Sequence, residues 1–125
     1  EFTHLISSIK EGFDRKDGES TTLTPLARVP VLAVDELGKG RRTDFELSII
    51  DEIVTRRYNG RGTLLGTTNF PLSAPPRPRG EYASLATERV ESLAERLGER
   101  VFSRLAESVQ FAPTLGDDFR ITKGR

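Results

Sequence analysis

The sequence predicts an α/β domain built on a parallel sheet. Two short apolar runs without alternation, Val31-Leu32-Ala33-Val34 and Thr63-Leu64-Leu65-Gly66-Thr67-Thr68, read as strands buried on both faces. Between them, Thr43 and Glu46 form a capping box ahead of Leu47, Ile50, Val54 and Tyr58, which share one helical stripe that Asn59-Gly60 stops. Strand, helix, strand is a βαβ crossover, for which a right-handed path is the rule.

The remaining elements follow in chain order. Leu5, Ile6, Ile9 and Phe13 recur at helical spacing, with Thr3 placed to cap that helix and Lys10, Arg15 and Lys16 on its other side. Asp17 to Thr22 is polar and reads as a loop, and Pro30 opens the first strand. Gly38 to Arg42 is a turn. Residues 71–83, with Pro71, Pro75, Pro76 and Pro78 beside Arg77 and Arg79, read as an extended surface insertion. Helical spacing resumes at Val90, Leu93, Leu97, Val101 and Leu105, bent near Gly98; Ser108 to Ala112 is a candidate last strand, and Asp117 to Arg125 a tail. No internal repeat is visible.

Bulk composition narrows the chemistry. The 125 residues suit one domain, with 35% hydrophobic and 30% charged residues, and 19 basic residues against 19 acidic leave no net charge to attract nucleic acid or membrane. Most of the basic residues are Arg, which suits fixed bidentate contacts to phosphate or carboxylate. With no Cys, disulfides, thiolate catalysis and Cys-ligated zinc are excluded, and the one histidine, His4, is the only available base for a Ser-His-Asp site. No stretch has transmembrane length and no signal peptide precedes the chain, so a cytoplasmic protein without a membrane partner is expected. The absence of Met and the start at Glu-Phe-Thr suggest a beginning inside a longer gene product.

Three groups of residues carry chemistry. Asp35 and Glu36 follow the first strand directly, and in open α/β sheets ligands sit at the carboxyl ends of strands. An Asp there can hold Mg²⁺ through its water shell, and a neighbouring Glu can orient and polarise an attacking water. The bland alternative is a buried strand running into an acidic turn. Asn69 ends the second strand, where an amide can bond both a γ-phosphate and that water, although Asn also ends strands in ordinary turns. Acids at one tip, a connecting helix and a polar group at the next tip together point to an NTPase. Arg100 and Arg104 lie four apart on one helical face and can reach a phosphate in a neighbouring subunit, or simply pair with Glu99 or Glu107.

The runs "LAVDELGKG", "GTTNFPL" and "ERLGERVFSRL", in that order, resemble the AAA+ ATPases of the DnaC and IstB type, bacterial helicase loaders and transposition helper ATPases. The resemblance covers about Phe2 to Arg120. It implies a partial P-loop NTPase αβα sandwich spanning residues 1–125, running from Walker B to the arginine finger. Asp35 and Glu36 would be the Walker B pair, Asn69 sensor 1, and Arg104 in "FSRL" an arginine finger acting in trans, with Arg100 close to it. Fingers of this kind are worth about 10³–10⁵ in rate in related NTPases. The implied cofactors are ATP and Mg²⁺. The implied partners are single-stranded DNA, further copies of the chain in a homo-oligomer, and a replicative helicase or transposase.

Family members place a DNA-contacting helical element between Walker A and Walker B, which corresponds here to Thr3 to Lys16. Lys10, Arg15 and Lys16 would meet a single-stranded backbone and Phe13 would stack on a base, unless Phe13 is core and the cations are merely solvated. Two departures stand out. The phosphate loop, G-x-x-x-x-G-K-[ST], is absent from these residues together with its strand, so these residues alone should bind ATP feebly and expose strand edges. The insertion near residues 71–86 replaces an almost direct run into "LGER". Two other readings stay open: a non-hydrolysing adaptor on DNA or helicase, and an unrelated α/β interaction domain in which Asp35, Glu36 and Asn69 do not converge.

Overall fold

The Thr43–Glu46 pair opens the longest helix among the described residues. In the computed structural model, which describes residues 2–14, 18–74 and 89–116, helices α1 (Phe2–Asp14) and α2 (Gly18–Arg28) precede strand β1 (Val31–Val34), helix α3 (Asp44–Gly60) and strand β2 (Thr63–Gly66), and helices α4 (Leu93–Leu97) and α5 (Glu99–Ser108) close the order. Thr43 Oγ1 accepts the Glu46 N–H at 3.2 Å while the Glu46 carboxylate accepts the Thr43 N–H at 3.2 Å, so two otherwise orphaned helix-end donors are satisfied. At the other end Arg61 adopts the left-handed conformation, φ 52°, and returns its N–H to the Arg57 and Tyr58 carbonyls.

The two strands pair in parallel, Val31 opposite Thr63 through Val34 opposite Gly66, with α3 as their connection. One core gathers Phe2, Ile6 and Ile9 of α1, Leu23 of α2, Leu32 and Val34 of β1, Ile49, Ile50, Ile53 and Val54 of α3, and Leu93, Leu97, Val101 and Leu105 of α4 and α5. Among the described residues no helix is long and apolar enough to cross a membrane.

Several local expectations change. The strands are not buried on both faces: Leu32 and Val34 turn into the core, whereas Val31 and Leu65 are 52% and 58% exposed. The helices of the described residues cover one face only. Residues 18–22, expected as a loop, open α2, which Leu23 anchors in the core. The helix at the N-terminal end includes Phe2, so Thr3 lies inside it rather than capping it. Ser108 belongs to α5, and residues 109–115 join no sheet because no strand among the described residues lies beside them. Val109 and Phe111 still pack on the core, with Phe111 stacked on Phe102 at 6.0 Å between ring centroids.

Other expectations hold. The bend near Gly98 is a full break, with φ 84° at that residue separating α4 from α5. Residues 71–74 are irregular; the rest of the insertion to residue 86, and the tail from Asp117, lie outside the described residues.

Candidate functional site

The register that sets Val34 beside Gly66 carries one residue further, bringing Asp35 and Thr67 together at the carboxyl ends of the strands. Thr67 Oγ1 donates to Asp35 Oδ1 in a short hydrogen bond and accepts the Glu36 N–H at 3.0 Å. Backbone bonds continue past the sheet: the Thr67 N–H donates to the Val34 carbonyl at 3.1 Å and the Leu37 N–H to the Thr67 carbonyl at 2.7 Å. Thr68 Oγ1 adds a bond to the Leu37 carbonyl at 2.8 Å. Asn69 comes next, exposed on a bend. Asp35, Glu36 and Asn69 therefore sit on two loops stitched together at neighbouring strand tips.

Glu36 is held in an unusual backbone state. Its φ is 58°, the left-handed region that non-glycine residues rarely enter and that costs about 1–3 kcal/mol unless the surroundings hold it. The Thr67 bond to its N–H provides one restraint, and the Lys39 N–H bonded to the Glu36 carbonyl at 3.0 Å provides another. The Lys39 ammonium meets both Glu36 carboxylate oxygens, at 2.7 and 2.8 Å. Beside the tip opens a cavity of about 670 Å³ lined by Leu37, Thr68, Asn69 and Phe70 among others.

Arg100 and Arg104 turn elsewhere. Arg104 Nη1 donates to Asp51 Oδ1 at 3.0 Å and to Thr55 Oγ1 at 2.9 Å, and Arg100 Nη2 lies 3.4 Å from Asp51 Oδ2. Both guanidinium groups thus converge on one α3 carboxylate rather than on Glu99 or Glu107. Arg100 remains 70% exposed and Arg104 is about one-quarter exposed.

No protein-family model matches the chain. Over 103 residues, 81% of its length, the chain is 31% identical to the replicative helicase loader DnaC of Escherichia coli (strain K12), and the match takes in 34% of that protein. The DnaC loader of Shigella flexneri gives the same figures. A crystal structure of the DnaC helicase loader superposes with a TM-score of 0.65 at 31% identity, covering 88% of this chain and 56% of that one. The chain is a DnaC-type AAA+ segment. It spans about a third of the length of the curated relatives it matches, where the match covers 34%.

In this DnaC-type segment the α/β architecture with its parallel strand pair is that of the P-loop AAA+ fold. On α1, Lys10 is exposed, and Phe13, 38% exposed, meets the Phe45 ring edge-on at 5.9 Å. Phe13 therefore already has a ring partner on one side. Arg15 and Lys16 lie outside the described residues. The Phe2 N–H donates to the Asp35 carbonyl at 2.9 Å, so the start of α1 touches the acid pair's own backbone.

The donor chemistry bears on a metal. Among the described residues no group of three or more His, Asp or Glu gathers to cage an ion. Two adjacent carboxylates at a strand tip, one of them bonded to a hydroxyl, instead suit Mg²⁺ held through water and substrate phosphates, which needs only one or two protein carboxylates.

Sequence reasoning missed two residues that hold the strand-tip loops together. Thr67 joins Asp35 to Glu36, and its signal was its place one residue beyond the strand, opposite the Asp. Arg96 holds the loop after Glu36 from α4, and only its contacts reveal it.

Proposed function

We propose that this chain supplies the Walker B to arginine-finger part of an ATP-hydrolysing helicase loader that works on DNA in the cytoplasm. One observation carries the reading: the Thr67 hydroxyl ties Asp35 and Glu36 to the loop bearing Asn69, at neighbouring tips of parallel strands. A replicative helicase is preferred to a transposase as partner because the relatives with which the chain shares 31% identity are replicative helicase loaders.

In this reading Asp35 would hold Mg²⁺, with Thr67 fixing the carboxylate's orientation. Magnesium bound there supplies neutralisation of charge on the phosphate oxygens. Glu36 orients and polarises the water that attacks the γ-phosphate, exchanging its Lys39 contact for that water. Asn69 hydrogen-bonds the γ-phosphate and keeps the water in line. Arg104, with Arg100 beside it, leaves Asp51 to complete the site of a neighbouring copy, which requires an oligomer, and single-stranded DNA is the surface on which we propose it assembles. Lys10 and Phe13 on α1, with Arg15 and Lys16 beyond it, contact that strand.

The second reading, a non-hydrolysing adaptor, draws on the engagement of Glu36 by Lys39 and of Arg104 by Asp51 within the same chain. ATP turnover by the complete gene product, with and without single-stranded DNA and beside a Glu36→Gln variant, separates the two. The ATPase reading expects DNA-dependent turnover that falls by at least about 100-fold in the variant, the scale of losing a positioned general base. A folded complete protein without turnover in either condition would put the adaptor reading ahead.

A further inference from the structure

We infer that Arg96 is a positioning residue for hydrolysis, holding the loop that carries Glu36 in register with the loop that carries Asn69. The inference rests on the ATPase reading of the strand tips and deepens it.

Arg96 lies on α4, outside both loops, and its side chain is 13% exposed. Its donors divide three ways. Nε donates to the Gly38 carbonyl at 2.9 Å and Nη2 to the Gly40 carbonyl, while Nη1 meets Glu91 Oε2 at 3.0 Å. Glu91 in turn receives Arg42 Nη1 at 3.2 Å, so the far end of the same loop is tied to the same carboxylate. The Arg96 guanidinium carbon lies over the Phe70 ring, 5.0 Å from its centroid, and Phe70 is next in sequence to Asn69. Phe70 is itself placed by Thr68 Oγ1, which accepts its N–H at 3.2 Å and donates to the Leu37 carbonyl.

One cation therefore spans the loop 36–42 through its N–H groups and the loop 67–70 through its contact with the Phe70 ring. A fork of fixed N–H directions and a stacking face are properties of Arg that Lys lacks. The loop also has reason to need a clamp. Gly38 takes φ 88° freely, but Glu36 at φ 58° is a non-glycine residue in the left-handed region, a conformation that persists when neighbours impose it. Gly38 is seated closely: a Cβ there would come to 3.1 Å from Leu93 and 3.3 Å from Phe70. Lys39, the Glu36 partner, stands between the two carbonyls that Arg96 holds. Releasing those carbonyls frees Glu36 to move relative to Asn69, and a misplacement near 1 Å in a reacting array can cost about 100-fold in rate.

The test uses the complete gene product with DNA, comparing wild type, Glu36→Gln, Arg96→Lys and Gly38→Ala. Turnover is read as kcat and KM, and a fluorescent ADP analogue is titrated to obtain affinity and the number of binding sites. Arg96→Lys is expected to lower kcat by about 10- to 100-fold, with nucleotide affinity and site number unchanged. A merely structural loss would reduce site number in parallel with rate. Gly38→Ala, which presses a methyl group into the seam where the loop meets Leu93, Phe70 and Arg96, is expected to show the same split and serves where Arg96→Lys does not fold. Wild-type kcat in both folded variants, beside an inactive Glu36→Gln, would overturn the positioning role alone. Equal turnover by wild type and Glu36→Gln would overturn the reading of the site and this inference with it.

Discussion

Arg57 is 2% exposed, and its guanidinium faces carbonyl oxygens from three directions. Nη1 donates to Leu26 and Val29 at 2.9 Å each, and Nη2 to Pro30 at 3.2 Å and to Thr63. One cation thus closes the carboxyl end of α2, where the helix dipole favours positive charge, and the entries of both strands. Gly62 leaves it room, since a Cβ there would come within 2.8 Å of Nη2. Arg57→Leu strands several buried acceptors at once and is expected to cost about 3 kcal/mol, the upper range for one unsatisfied group. A thermal-melt comparison with wild type checks this; an unchanged midpoint would mean water reaches those carbonyls. The residue was half legible. Ile50, Val54 and Arg57 follow the stripe at i, i+4 and i+7, yet a charge at the third position reads as surface unless its partners are known. Asp35, Glu36 and Asn69 were legible because their place at strand ends already implies a shared edge. Arg104's contact with Asp51 was not, because pairing across helices leaves no spacing in the sequence.

The helices α3 and α4 begin with the same device. Ser92 Oγ accepts the Glu95 N–H at 3.2 Å, and Glu95 Oε2 accepts the Ser92 N–H at 2.9 Å, repeating at α4 the capping box of α3. The Ser92 N–H, with Arg89 adding attraction, holds the Glu95 carboxyl below the usual glutamate range. A carboxyl with a depressed folded-state pKa stabilises fully above its unfolded pKa, and that stabilisation is lost as pH falls through the folded value. Wild type should therefore melt above Glu95→Gln at pH 7, with the gap closing as pH drops below the ordinary value of 4.5. A gap independent of pH would show that the charge does not matter to α4. The box is spelled in the sequence as Ser92-Leu93-Ala94-Glu95, although the helix it opens is only five residues long. The strands were placed well, whereas their burial was not, because an apolar run reports what a face can bury, not what covers it. Residues 109–115 make the same point: Val109 and Phe111 suit a strand, but a ladder needs a neighbour.

At the scale of the molecule, a two-stranded sheet leaves each strand one unpaired edge and, here, one face uncovered by the described residues. Val31 at 52% and Leu65 at 58% exposed put β-branched and aliphatic surface on that open side. Such a sheet is marginal alone and a template for another chain. The 125-residue chain is expected to associate with rising concentration in sedimentation velocity, and Leu65→Lys to reduce that association; a monomer at all concentrations would show the face to be shielded. The order of motifs along the chain was enough to fix the family, while the two-sided loop clamp by Arg96 emerged only when α4 came back to the strand tips.

Arg96, Arg100 and Arg104 stand at intervals of four, and in one uninterrupted helix they would form a single positive stripe. Gly98, at φ 84° and ψ 148°, resets the phase between the first and the second. The same periodic spelling is thereby delivered to two addresses, one at the Gly38 and Gly40 carbonyls and one at Asp51. This corner of φ/ψ space is essentially open to glycine alone, so a side chain at position 98 would merge the two addresses into one and leave either the acid loop or the Asp51 carboxylate without its arginine.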